Sequence, residues 1–266
     1  MKLCHLKSLL LILTALRLQA SCGVAMDMPS NVSNRAAEGF TDPKALALAE
    51  AAARGDVRAL ERLVKDGADV NYAGRLGITP AWWAIRNRNK KGFEWLLAHG
   101  ANPNPVVQSI TIMEMAAGYE DSEFLEIALR YKPNLNLVSR ATGNSALDSA
   151  VAYSRKHNLE LLVKAGADLN QTSGVSPVVT AARLSRYDYA LLMLQAGADT
   201  AKIIPDGPNG GQNELAYTIS HGLINPDTDA FEWRERVIRF LRKQGIEAHP
   251  PPNERQRSKP LPPDLR

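Results

Sequence analysis

The sequence predicts an all-α solenoid, a stack of about six short helix pairs. Three observations carry that prediction. A Gly-Ala-x-x-Asn pattern, or a relic of it, recurs with its first position at Gly67, Gly100, Lys132, Gly166 and Gly197, so the spacing stays between 31 and 34 residues. Between these anchors the apolar residues fall at helical intervals, as in Phe93, Leu96 and Leu97. The composition, 45% apolar, 23% charged and only 6% aromatic, is that of an ordinary folded chain, and no long β-branched alternation competes with helix. Helix pairs this short cannot bury their apolar faces alone, so neighbours must stack on both sides.

The clearest unit runs from Gly77 to Asn104. Thr79 suits a helix N-cap, because its hydroxyl accepts from an orphan N–H of the first turn, and Pro80 suits the first helical position, where no N–H is needed. Gly100 sits where a helix needs a left-handed cap. The run Gly77-Ile78-Thr79-Pro80-Ala81-Trp82-Trp83-Ala84, then Phe93-Glu94-Trp95-Leu96-Leu97, then Gly100-Ala101-Asn102-Pro103-Asn104 resembles an ankyrin repeat. That family's pattern is G-x-T-P-L-H-x-A, an outer helix ending in L-L, and G-A-x-x-N. The resemblance implies an ankyrin-repeat solenoid with short β-hairpin-like fingers and a protein-binding role without cofactor or metal.

In chain order, residues 1–21 read as a signal peptide, with Lys2 and Lys7 before the apolar core Ser8 to Leu16 and small residues after it. Cys22 lies where a bacterial lipoprotein carries its lipidated cysteine, with Ala20 and Ser21 before it, although Gln19 departs from the aliphatic residue expected there. Lipidation at Cys22 and ordinary cleavage after Ala20 or Ala25 both stay open. Cys4 lies inside the leader, so the mature chain has no intrachain disulfide. Residues 22–40, polar and small, read as a flexible tether.

The repeats are expected over 41–249. The first, from Thr41-Asp42-Pro43 to Asn71, lacks the Thr-Pro entry, as terminal repeats do. The second is the unit above. The third opens at Thr111 and replaces the capping glycine with Lys132; the fourth opens at Ser145 and the fifth at Ser176. The sixth, from Asn213 to Gly245, carries roughly eleven extra residues between its helices, around Gly222-Leu223-Ile224-Asn225-Pro226-Asp227. Residues 250–266, rich in proline and charge, read as a disordered tail.

The isoelectric point of 9.1 invites a nucleic-acid partner, but the charge is badly placed for one. Residues 1–21 hold Lys2, Lys7 and Arg17 and no acid, which takes the formal charge from +4 to +1. The tail from Pro250 has four bases against two acids, so the repeats are near neutral and offer no groove for phosphates. No enzyme is expected. The five histidines lack zinc-ligand spacing, and there is no G-x-S-x-G, P-loop or H-E-x-x-H.

By register the resemblance implies a protein-contact surface on the concave face, at finger tips and exposed parts of inner helices. In the second repeat this means Arg75, Leu76, Ile78, Arg86 and Asn87, with Trp82 in the place of the family's usual histidine. Later repeats supply Val107, Gln108, Ile110 and Tyr119, then Thr142, Asn144 and Tyr153, then Thr172, Ser173, Val175 and Arg183. Arg86, Tyr119, Tyr153 and Arg183 are of the residue types that dominate hot spots and are expected to be exposed. The expected function is an exported binding module that holds or occludes another protein in the bacterial cell envelope, periplasmic or anchored through Cys22. Chains of this kind resemble immunity proteins that neutralise secreted antibacterial effectors such as phospholipases. The alternative is an accessory scaffold for a periplasmic enzyme or envelope complex.

Overall fold

The inner helices of the first five pairs each start at a side chain that caps them. In the computed structural model, which describes residues 36–107, 110–139, 143–171, 175–200, 214–222, 224–249 and 262, α1 is Ala36–Gly39 and the first pair is α2, Pro43–Arg54, with α3, Val57–Lys65. The second pair is α4, Pro80–Arg86, with α5, Lys90–Ala98, and the third is α6, Ile112–Gly118, with α7, Glu123–Arg130. Next come α8, Ala146–Ala152, with α9, Lys156–Lys164, then α10, Pro177–Arg183, with α11, Tyr187–Gln195. The last pair is α12, Glu214–His221, with α13, Asp229–Lys243. The Thr79 hydroxyl accepts from the Trp82 N–H at 3.2 Å, and Thr111 accepts from Glu114 at 2.9 Å. Ser145 and Asp148 form a reciprocal capping box that starts α8. Outer helices end on left-handed residues, glycine at 67, 100, 166 and 197, and Lys132 with φ 49° in the third unit. The lysine adopts the glycine's backbone at a steric cost, which is how that unit keeps the register its sequence obscures.

Two interleaved sets of short side chains then tie the units together. Asn71 Oδ1 accepts from the Asn102 N–H at 2.7 Å, and Asn104 Oδ1 accepts from Asn134 at 2.7 Å. Asn136 accepts likewise from Asp168 and Asn170 from Asp199, each at 2.9 Å. Within each unit Asp69, Asn102, Asn134 and Asp168 accept from the N–H two residues on. The recurring asparagine is thus the rung that joins one unit to the next. Salt bridges cross the outer helices as well: Lys90 to Asp121 and Glu123, Arg130 to Glu94, and Lys156 to Asp188. All are solvated and contribute little individually.

Small residues line the seam between inner helices. Ala84, Ala116, Ala150 and Ala181 are fully buried, and α2 packs on α4 as α6 packs on α8. Ala84→Leu is expected to overpack the seam and to lower stability by about 1–3 kcal/mol, measured by chemical denaturation; an unchanged midpoint would place Ala84 outside the seam.

The fold departs from expectation at both ends. Ala36–Phe40, within the stretch expected to be tether, is a turn of helix followed by a buried Phe40. The Phe40 ring packs between Tyr72, centroids 6.2 Å apart, and the edge of Trp83, 6.4 Å apart. In the last unit the extra residues do not form only a loop. Asn225 folds a turn, accepting from the Asp227 N–H at 3.0 Å, and α13 then begins at Asp229 and runs 15 residues. Arg234, fully buried, holds that junction by donating to the Gly222 carbonyl and stacking over Phe231. Among the described residues one finger forms a strand hairpin: β1, Val106–Val107, antiparallel to β2, Ile110–Thr111. The finger before it is a 3-10 turn at Arg75–Gly77 closed by the Gly74 N–H donating to the Ile78 carbonyl at 2.8 Å.

Candidate functional site

The inner helices α4, α6, α8 and α10 are almost wholly buried along their length, so what they present to a partner comes from their ends and from the fingers. Arg75 and Leu76 top the second finger, with Leu76 63% exposed in the left-handed region at φ 60°. Asn87, Tyr153 and Leu184 follow directly on α4, α8 and α10. Tyr153 and Leu184 are 39% and 37% exposed. Burial, and next the charge of Glu114, push the Tyr153 hydroxyl pKa up. Arg183 is exposed and paired with Glu214, while Arg86 is half-buried with its guanidinium 5.6 Å from the Trp82 ring centre. Asn144, Ile110 and Val175 are half-buried. Gln108, Thr142, Thr172, Ser173 and Cys22 lie outside the described residues, as do the side-chain surroundings of Val107.

Three expected contact residues are buried instead. Ile78 is covered because Gly39 lies against it, close enough that a Cβ at Gly39 would stand 3.3 Å from Ile78 Cδ1. Trp82 is fully enclosed in the seam, and its indole N–H has no acceptor among the described residues. Tyr119 turns inward because four residues, Tyr119 to Ser122, join α6 to α7 where three join the helices of the second, fourth and fifth pairs. The other turns pass through a left-handed residue, Arg88, Ser154 or Ser185, whereas Tyr119 is extended at φ −70°, ψ 149°. Its hydroxyl donates to the Ile85 carbonyl at 3.2 Å, Arg88 covers its ring at 4.4 Å, and Phe124 meets it edge-on at 5.5 Å. Burial accordingly raises the Tyr119 pKa.

The model for the family described as Ankyrin repeats (3 copies) matches residues 18–106. The fold is an ankyrin-repeat solenoid. Protein PhlB of Serratia liquefaciens is 28% identical over 66% of this chain and 78% of its own length. The mitochondrial disaggregase of Bos taurus is 34% identical over 47% of this chain but only 19% of its own length. Putative ankyrin repeat protein L371 of Acanthamoeba polyphaga mimivirus is 24% identical over 62% of this chain and 21% of its own length. The chain therefore spans about a fifth of the disaggregase and of the viral protein.

An ankyrin-repeat array is a protein–protein interaction module, and the geometry of this one is suited to that. Its exposed side chains stand on rigid, capped helices, so little conformational entropy is lost when they are ordered by a partner. Sequence reasoning missed Leu184, because an isolated leucine reads as core; its register match with Tyr153 is the signal that marks it. It also missed Arg155 and Arg186, on the turns between paired helices, and Asn158, in the first turn of α9. Among the described residues no three His, Cys, Asp or Glu side chains converge to hold a metal ion, and no helix is long and apolar enough to cross a membrane.

Proposed function

We propose that this ankyrin-repeat protein is exported and acts in the bacterial cell envelope by binding and occluding another protein, as an immunity protein against a secreted effector such as a phospholipase. The observation that carries the reading is the joining of an export-type leader, Lys2, Lys7 and the apolar run Ser8 to Leu16, to a repeat array whose exposed residues are contact types rather than catalytic ones. The mechanism is steric. The array covers the partner's working surface with exposed side chains such as Arg75, Leu76, Tyr153 and Arg183. Fusing residues 1–40 to a reporter active only outside the cytoplasm is expected to give activity. Co-expression of the full chain is expected to relieve the toxicity of an effector encoded beside it. If the partner is instead made more active or more soluble, the role is that of an accessory scaffold. Cytoplasmic retention would remove both. Cys22→Ser is expected to change the mature mass and release the protein from membranes; if neither changes, the leader is removed by ordinary cleavage.

A further inference from the structure

The ends of the last three inner helices share a surface that no role above explains. Tyr153, Leu184 and His221 each stand seven residues beyond the first residue of α8, α10 and α12. Tyr153 and Leu184 are among the few large apolar side chains that are exposed. The exposed His221 ring is stacked on Tyr217, with centroids 4.0 Å apart. The strip begins at Tyr153, because one unit earlier Tyr119 is folded inward and one before that the Asn87 amide is committed to the Trp83 carbonyl at 2.7 Å.

Beside the strip lie two guanidinium groups with no carboxylate partner among the described residues. Arg155 Nε donates to the Gly118 carbonyl at 3.0 Å. Arg186 donates to the Ser154 hydroxyl at 2.7 Å and lies 5.9 Å from the Tyr189 ring centre. Of the carboxylates in the same region, Glu114 near Tyr153 is buried, Glu214 is engaged by Arg183 and Asp188 by Lys156. The edge is therefore apolar along its middle and positive beside it.

Spacing selects what fits. Packed helices stand roughly 8–10 Å apart, so successive members of the strip repeat at about that interval. On a partner helix, residues seven apart share a face and rise about 10.5 Å. On an extended strand the matching step is about three residues, which point to opposite faces. A helix meets all three positions with one face and a strand does not.

We infer that Tyr153, Leu184 and the Tyr217–His221 stack form a docking strip for an acidic amphipathic helix of a partner protein. Its apolar residues at i, i+7 and i+14 seat on three successive units, and its flanking carboxylates reach Arg155 and Arg186. This rests on the protein-binding reading above and names the part of the surface that does the work.

The test is fluorescence anisotropy with the full chain and a labelled helical peptide carrying leucine at i, i+7 and i+14 with glutamate flanks. The peptide is expected to bind, and the same peptide with lysine flanks is not. Leu184→Asp and Arg186→Glu are each expected to weaken binding at least about tenfold, as loss of a hot-spot contact does. Both side chains are exposed, so unchanged melting is expected and separates lost contact from lost fold. Glu160→Ala, exposed on the outer helix α9, should leave affinity unchanged. Absence of binding, equal binding of the lysine peptide, or indifference to both Leu184→Asp and Arg186→Glu overturns the strip. Loss of binding in Leu76→Asp alone also overturns it, but leaves the protein-binding reading intact with its site on the fingers.

Discussion

Gly92→Ala is expected to cost about 3 kcal/mol. A Cβ at Gly92 would stand 2.0 Å from the Ala52 carbonyl oxygen and 2.7 Å from its carbon. Both are backbone atoms of α2, fixed by their own helix, and cannot step aside as a side chain would. Gly92 thus lets α5 close directly on the end of the preceding inner helix. Gly100→Ala is the contrast: at φ 88° with nothing within 4 Å, it is strained only by its own backbone, by roughly 1–2 kcal/mol. Denaturant midpoints compare the two. If Gly92→Ala costs no more than Gly100→Ala, the close approach of α5 to α2 is not as described.

Asn158→Ala is expected to cost about 3 kcal/mol. The side chain is buried in α9, and its Nδ2 donates to the Ala117 carbonyl at 2.9 Å and to the Tyr119 carbonyl at 2.8 Å. These are end carbonyls of α6, which the extended Tyr119 deprives of the usual left-handed cap. Losing the donor leaves both buried acceptors unpaired, at about 1–3 kcal/mol each. Asn158→Asp keeps the shape but turns an acceptor toward acceptors, so it should be at least as damaging. If Asn158→Asp is tolerated while Asn158→Ala is not, the residue acts by volume and not by donation.

Much of this architecture was legible in the sequence because each unit carries its own punctuation. The caps Thr79, Ser145 and Ser176 and the anchors Gly67 to Gly197 are local signals, and the helices begin and end on them. The contact surface was less legible, since exposure depends on turns whose length differs by one residue. Tyr119 and Tyr153 look alike in register, yet the added residue before α7 sends one inward while the other stays out. Ile78 was misplaced for another reason: what covers it, Ala36–Gly39, lies forty residues earlier in the chain and reads as a polar linker.

The asparagine rungs have a consequence for how the molecule responds to load. Each rung touches only the next unit, so a disturbance is passed on hand to hand and weakens at every transfer, as in a one-dimensional chain of coupled sites. Among the described residues the asparagine rungs run as far as Asp199, and the final pair is joined to its neighbour by packing of α12 on α10 and α13 on α11 and by the Arg183–Glu214 ion pair. A ligand lying from Tyr153 to His221 bridges both sides of this boundary and works as a splint. Its occupancy should appear far from the contact itself, as slower amide exchange along α13, so that the last helix reports whether the protein has found its partner.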